Sequence, residues 1–151
     1  MATKIVMVCL GNICRSPLAE GILQSKLPKE KFHVDSAGTG GWHAGELPDS
    51  RSMKIASKYG IDISNQRARQ FQVQDFHTFD YIYVMDQSNY KNVMQLAPDE
   101  IVKAKVKLIL DEVTPNKKAD VPDPYYGGQA DFEHVFQLLD EACEQIAKRL
   151  L

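Results

Sequence analysis

An apolar run near the start of the chain constrains the fold more than any other feature. Residues 4–8 read Lys-Ile-Val-Met-Val, and the chain then passes through Gly11-Asn12 to Ser16-Pro17. A β-branched run of this length is typical of a strand buried on both faces of a parallel sheet. Serine is a common N-cap, and proline suits the first helical position. We therefore predict a strand, a short loop and a helix capped by Ser16.

The rest of the chain alternates between strand and helix patterns. Further strands are predicted over residues 32–36, 79–85 and 105–110, and helices over residues 48–59, 86–97 and 132–150. The last helix has the clearest pattern, because its apolar residues recur every three or four positions and form one stripe. Strands that alternate with helices favour a parallel sheet covered on both faces. No linker or repeat divides the chain, so we expect one domain over residues 1–151.

Composition narrows the classes of function. With 151 residues, 44% hydrophobic and 25% charged, the chain can build a core of its own. A net charge of −2 gives no basic footprint for nucleic acid, and no run reaches the ~20 apolar residues of a membrane span. The three cysteines and four histidines lack zinc-site spacing, so we expect neither a metal nor a disulfide framework. We expect a cytoplasmic monomer.

The loop after the first strand carries the chemistry. Ligands bind at the carboxyl ends of strands in open α/β sheets, and a loop at a helix N-terminus presents amides to an anion. Arg15 adds a planar fork that matches phosphate oxygens. A helix N-terminus and an arginine favour the thiolate form of Cys9, which is the nucleophilic form. The Ser16 hydroxyl can donate a hydrogen bond to that thiolate and assist its departure from phosphorus.

The opening motif Cys-Leu-Gly-Asn-Ile-Cys-Arg-Ser-Pro, which begins at Cys9, resembles that of the low-molecular-weight protein tyrosine phosphatases. The resemblance continues through residues 35–39, 79–82, 85–86 and 123–127, which covers nearly the whole chain. It implies a three-layer α/β/α fold whose four parallel strands lie in the order 2-1-3-4, with helices on both faces. It also implies hydrolysis of phosphotyrosine and small aryl phosphates through a cysteinyl-phosphate, without a cofactor. The expected partners are phosphotyrosine proteins and oxyanions.

The same resemblance assigns roles to individual residues. It makes Cys9 the nucleophile, Arg15 the phosphate clamp and Asp123 the general acid. A phenolic oxygen, with a pKa of about 10, needs a proton as it leaves. Pro122 and Pro124 hold Asp123 in an extended conformation. The residues expected to contact phosphate or substrate are Leu10, Gly11, Asn12, Ile13, Cys14, Ser16, Trp42, Tyr125 and Tyr126, with Ser36 supporting the loop behind Asn12.

Four positions extend or depart from the family pattern. Cys14 is expected to trap oxidised Cys9 as a disulfide, as the family suggests. Tyr125 and Tyr126 are candidates for phosphorylation as well as cleft walls. Gln66 stands where many relatives carry histidine, so this position cannot titrate.

Three other functions compete with this interpretation. An arsenate reductase would need two relay cysteines near the third strand, and residues 75–95 contain none. A phosphoarginine phosphatase would carry threonine in place of Ile13. A silent phosphotyrosine-binding module would lack the nucleophile, the clamp or the acid. Turnover of an aryl phosphate separates such a module from an enzyme.

Overall fold

The computed structural model describes residues 2–151. Its elements along the chain are β1 (Thr3–Cys9), α1 (Arg15–Lys26), β2 (Phe32–Gly38), α2 (Ser50–Lys58), α3 (Asp75–Thr78), β3 (Tyr81–Val84), α4 (Gln87–Leu96), α5 (Glu100–Lys103), β4 (Val106–Leu108), a 3-10 turn (Ile109–Glu112) and α6 (Gln129–Leu150). Within residues 2–151, four parallel strands form one sheet in the order β2-β1-β3-β4. The expected α/β fold and its strand order are confirmed.

The central strand β1 separates two hydrophobic cores because its side chains alternate between the faces of the sheet. Ile5 and Met7 pack into one core with side chains of α1, α2 and α6. Val6 and Val8 pack into the other core with side chains of α3, α4 and α5. All four side chains are fully buried, as expected for a strand covered on both faces. None of the helices in residues 2–151 is long and apolar enough to cross a membrane.

The register of the sheet brings the carboxyl ends of β1 and β2 together. Cys9 pairs with Gly38 at this edge, directly before the loop that the sequence analysis singled out. A Cβ atom at Gly38 would lie 2.8 Å from the carbonyl oxygen of Leu10 and 3.0 Å from the amide nitrogen of Asn12. Only glycine permits so close an approach of two backbones. The end of β2 therefore supports the loop after β1.

Several predicted boundaries are wrong. Helix α1 begins at Arg15 with Cys14 at the N-cap position and no side-chain cap, so Ser16 lies inside the first turn. Strand β4 ends at Leu108 because the following residues form the 3-10 turn instead. The short helices α3 and α5 were not predicted, since four residues are too few to show a hydrophobic period. The apolar stripe predicted for α6 is buried, except that Leu150 is only partly covered.

Candidate active site

The anion loop, defined as residues 9–16, connects β1 to α1. The carbonyl oxygens of Cys9 and Leu10 accept hydrogen bonds of 2.9 Å from the amides of Thr39 and Gly40. Within residues 2–151, no backbone carbonyl accepts a hydrogen bond from the amides of residues 11–14. A group of amides without backbone acceptors, next to a helix N-terminus, forms a site that attracts an anion.

Asn12 holds the turn of the anion loop in a left-handed conformation, with φ of 58°. Its side-chain nitrogen donates to the hydroxyls of Ser16 at 2.7 Å and Ser36 at 3.0 Å, and its side-chain oxygen accepts from the amide of Arg69 at 3.0 Å. Asparagine tolerates this conformation better than most residues, and three hydrogen bonds fix it. The Asn12, Ser16 and Ser36 side chains therefore lie behind the loop rather than on its open side.

A chain of hydrogen bonds leads from the Cys9 sulfur into the protein. Cys9 Sγ lies 3.0 Å from the Ser16 hydroxyl, which in turn accepts from Asn12. Asn12 also donates to Ser36, whose hydroxyl donates to Glu20 Oε1 at 2.7 Å. The Ser16 hydroxyl, which does not cap α1 as predicted, therefore lies 3.0 Å from the Cys9 sulfur and 3.5 Å from the carbonyl oxygen of Ala37.

Glu20, at the inner end of this chain, was not singled out from the sequence. Burial raises the pKa of its carboxyl to about 7, although the Ser36 hydrogen bond opposes the shift, and Asp35 raises the pKa further. Glu20 lies in the first helix after the motif, and nothing local in the sequence shows that its carboxyl turns toward Ser36. This carboxyl therefore titrates near neutral pH beneath the anion loop.

Gln66 occupies the position where the family comparison led us to expect histidine. Its side-chain nitrogen donates to the carbonyl oxygen of Pro17 at 3.1 Å. Its side-chain oxygen is buried and has no hydrogen-bond partner among residues 2–151. Gln66 therefore fastens the first turn of α1 through a neutral amide.

Arg15 is almost wholly buried, with 3% of its side chain exposed. Its Nη1 donates to Asp86 Oδ2 at 2.7 Å and to the carbonyl oxygen of Val121 at 2.9 Å. Burial opposes its charge, but Cys9 and Asp86 raise the pKa of the guanidinium above its ordinary value. Arg15 Nη2 lies 4.0 Å from Asp123 Oδ2. The guanidinium is therefore held in one orientation at the floor of the site.

Asp86 performs two tasks at the end of β3. Its Oδ1 caps α4 by accepting from the amide of Asn89 at 2.7 Å. Its Oδ2 holds Arg15, which was missed. The available signal was its position just after β3, because the ends of parallel strands meet at the ligand-binding edge.

The acid loop, defined as residues 121–128, places Asp123 across from the anion loop. Asp123 Oδ1 accepts a hydrogen bond of 3.1 Å from the amide of Tyr125. Asp123 Oδ2 faces Arg15, and 45% of the Asp123 side chain is exposed. The distant segments predicted to meet, residues 9–16 and residues 121–128, therefore share one site.

A cavity of about 270 Å³ opens between the two loops. It is lined by Cys9, Leu10, Gly11, Ile13, Cys14, Arg15, Trp42, His43, Asp123, Tyr125 and Tyr126. Trp42 and Tyr126 stand at the rim and are 71% and 97% exposed. His43 was missed by the sequence analysis. Its ring lies against Gly11, and its Nδ1 is 3.1 Å from Glu46 Oε2.

The three cysteines occupy different environments and are all free thiols. Burial raises the pKa of Cys14 to about 12, with Asp49 and Cys9 adding to the shift. Cys143 is fully buried on α6, as the apolar stripe predicted. Within residues 2–151, no group of three or more His, Cys, Asp or Glu side chains is arranged to hold a metal ion.

Comparison with known proteins places these observations in one family. Residues 4–151 match the sequence profile described as "Low molecular weight phosphotyrosine protein phosphatase". The low molecular weight protein-tyrosine-phosphatase YfkJ of Bacillus subtilis is 42% identical over 147 residues, covering 95% of this chain and 92% of that protein.

Two crystal structures are similar along almost their whole length. A protein tyrosine phosphatase from Entamoeba histolytica, with Hepes in its active site, superposes with a TM-score of 0.92 at 39% identity, covering 99% of this chain and 97% of that one. Wzb of Vibrio vulnificus in complex with benzylphosphonate gives a TM-score of 0.88 at 32% identity, covering 99% of both chains.

Proposed function

This chain belongs to the low molecular weight phosphotyrosine protein phosphatase family, and we propose that it hydrolyses phosphotyrosine and small aryl phosphates through a phosphocysteine at Cys9. The observation that carries the proposal is the convergence of Cys9, Arg15 and Asp123 on one cavity. These three residues supply a nucleophile, a cation for the phosphoryl oxygens and a proton donor.

In the first step, the Cys9 thiolate attacks phosphorus and forms the sulfur–phosphorus bond while the bond to the aryl oxygen breaks. The free amides of residues 11–14 and the Arg15 guanidinium bind the phosphoryl oxygens, whose charge shifts during transfer. Asp123 gives its proton to the departing phenolic oxygen, which is a poor leaving group without one. Since only one oxygen of Asp123 is held by Tyr125, the other is available for this transfer.

In the second step, the ionised Asp123 accepts a proton from water, and the resulting oxygen attacks phosphorus. The sulfur–phosphorus bond breaks, inorganic phosphate forms, and the electron pair returns to Cys9 as thiolate. Ser16, 3.0 Å from this sulfur, donates the hydrogen bond that stabilises the departing thiolate. Both proposed steps draw on groups that line the cavity, together with Ser16 behind the anion loop.

The cavity walls support an aromatic substrate. Trp42, Tyr125 and Tyr126 surround the opening, and aromatic rings of this kind can stack on a phenyl phosphate. A phosphoserine side chain is too short to bring its phosphorus to Cys9 from this rim. Ile13 lines the cavity with an apolar side chain and so offers no hydroxyl to a phosphoarginine guanidinium. Benzylphosphonate, the compound bound by the Vibrio relative, joins an aromatic ring to a phosphonate.

Three further assignments belong to the same proposal. Residues 1–151 act as a single phosphatase domain on phosphotyrosine proteins. Free thiols at all three cysteines support a reducing compartment, for which we propose the cytoplasm. Monomer remains the expected state.

Cys14 is proposed to protect the nucleophile from oxidation. Peroxide converts the Cys9 thiolate to a sulfenic acid, and attack by Cys14 then forms a disulfide and releases water. The raised pKa of Cys14 makes this capture slow at neutral pH and faster as pH rises. Peptide mass spectrometry after mild peroxide treatment should show a Cys9–Cys14 link, whereas stable sulfinic acid at Cys9 would refute the role.

A substrate panel tests the proposed function. Peptides carrying phosphotyrosine, phosphoarginine or phosphoserine are assayed for phosphate release, with EDTA and vanadate as controls. We expect hydrolysis of phosphotyrosine alone, unaffected by EDTA and inhibited by vanadate. Preferred release from phosphoarginine would reject the aromatic specificity, and loss of activity in EDTA would reject the mechanism.

A further inference from the structure

Arg51, at the start of α2, makes an unusually complete set of contacts next to the acid loop. Its guanidinium forms a two-pronged pair with Asp49, through Nε to Oδ1 and Nη2 to Oδ2, each at 3.0 Å. Its remaining terminal nitrogen, Nη1, donates to the carbonyl oxygen of Gly127 at 3.1 Å. The planar guanidinium can satisfy both acceptors at once, which a lysine ammonium cannot do with the same geometry.

The same guanidinium lies over two aromatic rings. Its central carbon is 5.6 Å from the centre of the Tyr125 ring and 4.5 Å from that of Phe132. Tyr125 is the residue whose amide holds Asp123 Oδ1, and the amide of Gly127 closes a turn onto Pro124. Arg51 therefore contacts both sides of the turn that follows Asp123.

Helix α2 is itself fixed to the anion loop. The amide of Asp49 donates to the carbonyl oxygen of Ile13 at 2.7 Å, and the Ser52 hydroxyl donates to that of Cys14 at 3.3 Å. Arg51 thus contacts the acid loop from a helix that is hydrogen-bonded to the backbone of the anion loop.

From this geometry we propose that Arg51 is a positioning residue for Asp123: it fixes the far end of the acid loop to the anion loop, so that the carboxyl stands where the leaving oxygen forms. Arg15 fixes the near end of the acid loop at Val121. The inference rests on the proposed role of Asp123 as general acid. It assigns Arg51 no contact with the substrate.

The test compares phenyl phosphate, which has a basic leaving group, with p-nitrophenyl phosphate, whose leaving group departs without a proton. The constant to compare is kcat/KM, which covers only the steps up to formation of the phosphocysteine, because Asp123 also serves the later hydrolysis of that species for both esters. In Arg51→Ala, kcat/KM for phenyl phosphate should fall about 10-fold, less than the ~10²-fold that a 1 Å misplacement can cost, while kcat/KM for the nitrophenyl ester stays within about 2-fold. The inhibition constant for vanadate should also stay within about 2-fold, because the anion loop remains intact. Equal losses on both esters, or a tenfold higher inhibition constant for vanadate, would overturn the proposal.

A double variant makes the test specific. If Arg51 acts through Asp123, then Asp123→Ala/Arg51→Ala should hydrolyse phenyl phosphate at the rate of Asp123→Ala alone. If the loss in the double variant instead equals the product of the two single losses, the proposal is overturned. If Asp123→Ala itself lowers kcat/KM for both esters equally, the general-acid assignment fails. If only Arg51→Ala does so, the positioning role alone fails.

Lys58 supplies a matched control on the same helix. Its ammonium pairs with Glu133 at 2.6 Å, so it joins α2 to α6 without touching the acid loop. Lys58→Ala should leave the ratio of the two rates unchanged, and a changed ratio would show that general loosening of α2 explains the effect. Should Arg51→Ala prove unfolded by circular dichroism, Arg51→Lys replaces it, with the same direction of change expected and the same contrary outcomes.

Discussion

The anion loop and the acid loop meet at one cavity but are held in different ways. The anion loop is buried except at Leu10 and Gly11, and hydrogen bonds from Asn12 fix its left-handed turn from behind. In the acid loop, Asp123 is 45% exposed and accepts one hydrogen bond, from the amide of Tyr125 within the same loop. Arg15 and Arg51 hold the acid loop only near its two ends.

This difference matches the two chemical tasks. Binding a phosphoryl group and attacking it in line need fixed dipoles and a fixed sulfur, because reorganisation during transfer would raise the barrier. In the proposed mechanism Asp123 serves the leaving oxygen first and a water molecule afterwards, so partial exposure suits it. The comparison predicts that changes in the anion loop affect every substrate alike, whereas changes in the acid loop depend on the leaving group.

Replacing the nucleophile should give the largest effect. It tests the prediction that changes in the anion loop affect every substrate alike. Cys9→Ser should reduce turnover of all aryl phosphates by about 10⁴-fold or more, since a serine hydroxyl is not ionised here. Steady-state kinetics on two esters measures this, and vanadate binding with circular dichroism checks the fold. Residual turnover within tenfold of the native rate would contradict the role of Cys9.

Removing the acid should give the next largest effect and should be selective. Asp123→Ala should lower kcat/KM for phenyl phosphate by about 10²- to 10⁴-fold, the usual contribution of general acid catalysis. The loss of kcat/KM for p-nitrophenyl phosphate should be much smaller, because this constant excludes the later hydrolysis of the phosphocysteine, in which Asp123 also takes part. A leaving-group series measures the difference, and a parallel loss across the series would remove the assignment.

Glu20, beneath the anion loop, gives a prediction for the stability of the fold rather than for turnover. Its pKa is about 7 in the folded protein and near 4.5 when unfolded, so folding favours the protonated carboxyl. The contribution of the protonated Glu20 carboxyl to the free energy of unfolding is fully present below pH 4.5. It is lost as pH rises toward and through 7, and the total loss is up to about 3 kcal/mol. Glu20→Gln should lack this decline in urea-unfolding free energy between pH 4.5 and 8. An identical decline in the variant would show that other groups cause it.

The rim should give the smallest effect. Trp42→Ala should raise KM for aryl phosphates by about 5-fold, since stacking on an exposed ring contributes roughly 1 kcal/mol, and should leave kcat unchanged. Initial-rate kinetics with phenyl phosphate measures both constants. Unchanged kinetics would reject a role for Trp42 in the wall.

Sequence patterns predicted the anion loop better than its surroundings. The strand, the turn at Asn12 and the clamp Arg15 are consecutive, so local spacing carries the information. Ser16 was predicted both to cap α1 and to hydrogen-bond the Cys9 sulfur. The cap is wrong, because the helix begins at Arg15 and Ser16 lies inside its first turn, with its hydroxyl 3.0 Å from that sulfur. The acid loop came from family resemblance, since nothing local ties Asp123 to residues more than a hundred positions away.

The missed residues share one physical reason. Asp86, Glu20, Arg51 and His43 acquire their contacts only when distant segments pack together. Each carries a side chain that is common on any protein surface, so neither periodicity nor spacing distinguishes it. Position at the carboxyl edge of the sheet was the one general signal, and it applied to Asp86.

The central claim is that phosphate passes through the Cys9 sulfur, and trapping that species tests it most directly. Asp123→Ala, which also lacks the group that activates water, is mixed with p-nitrophenyl phosphate, quenched in acid within one turnover and analysed by peptide mass spectrometry. The account predicts one phosphoryl group on the peptide that contains Cys9. Continued release of nitrophenol with that peptide unmodified at every time point would contradict it.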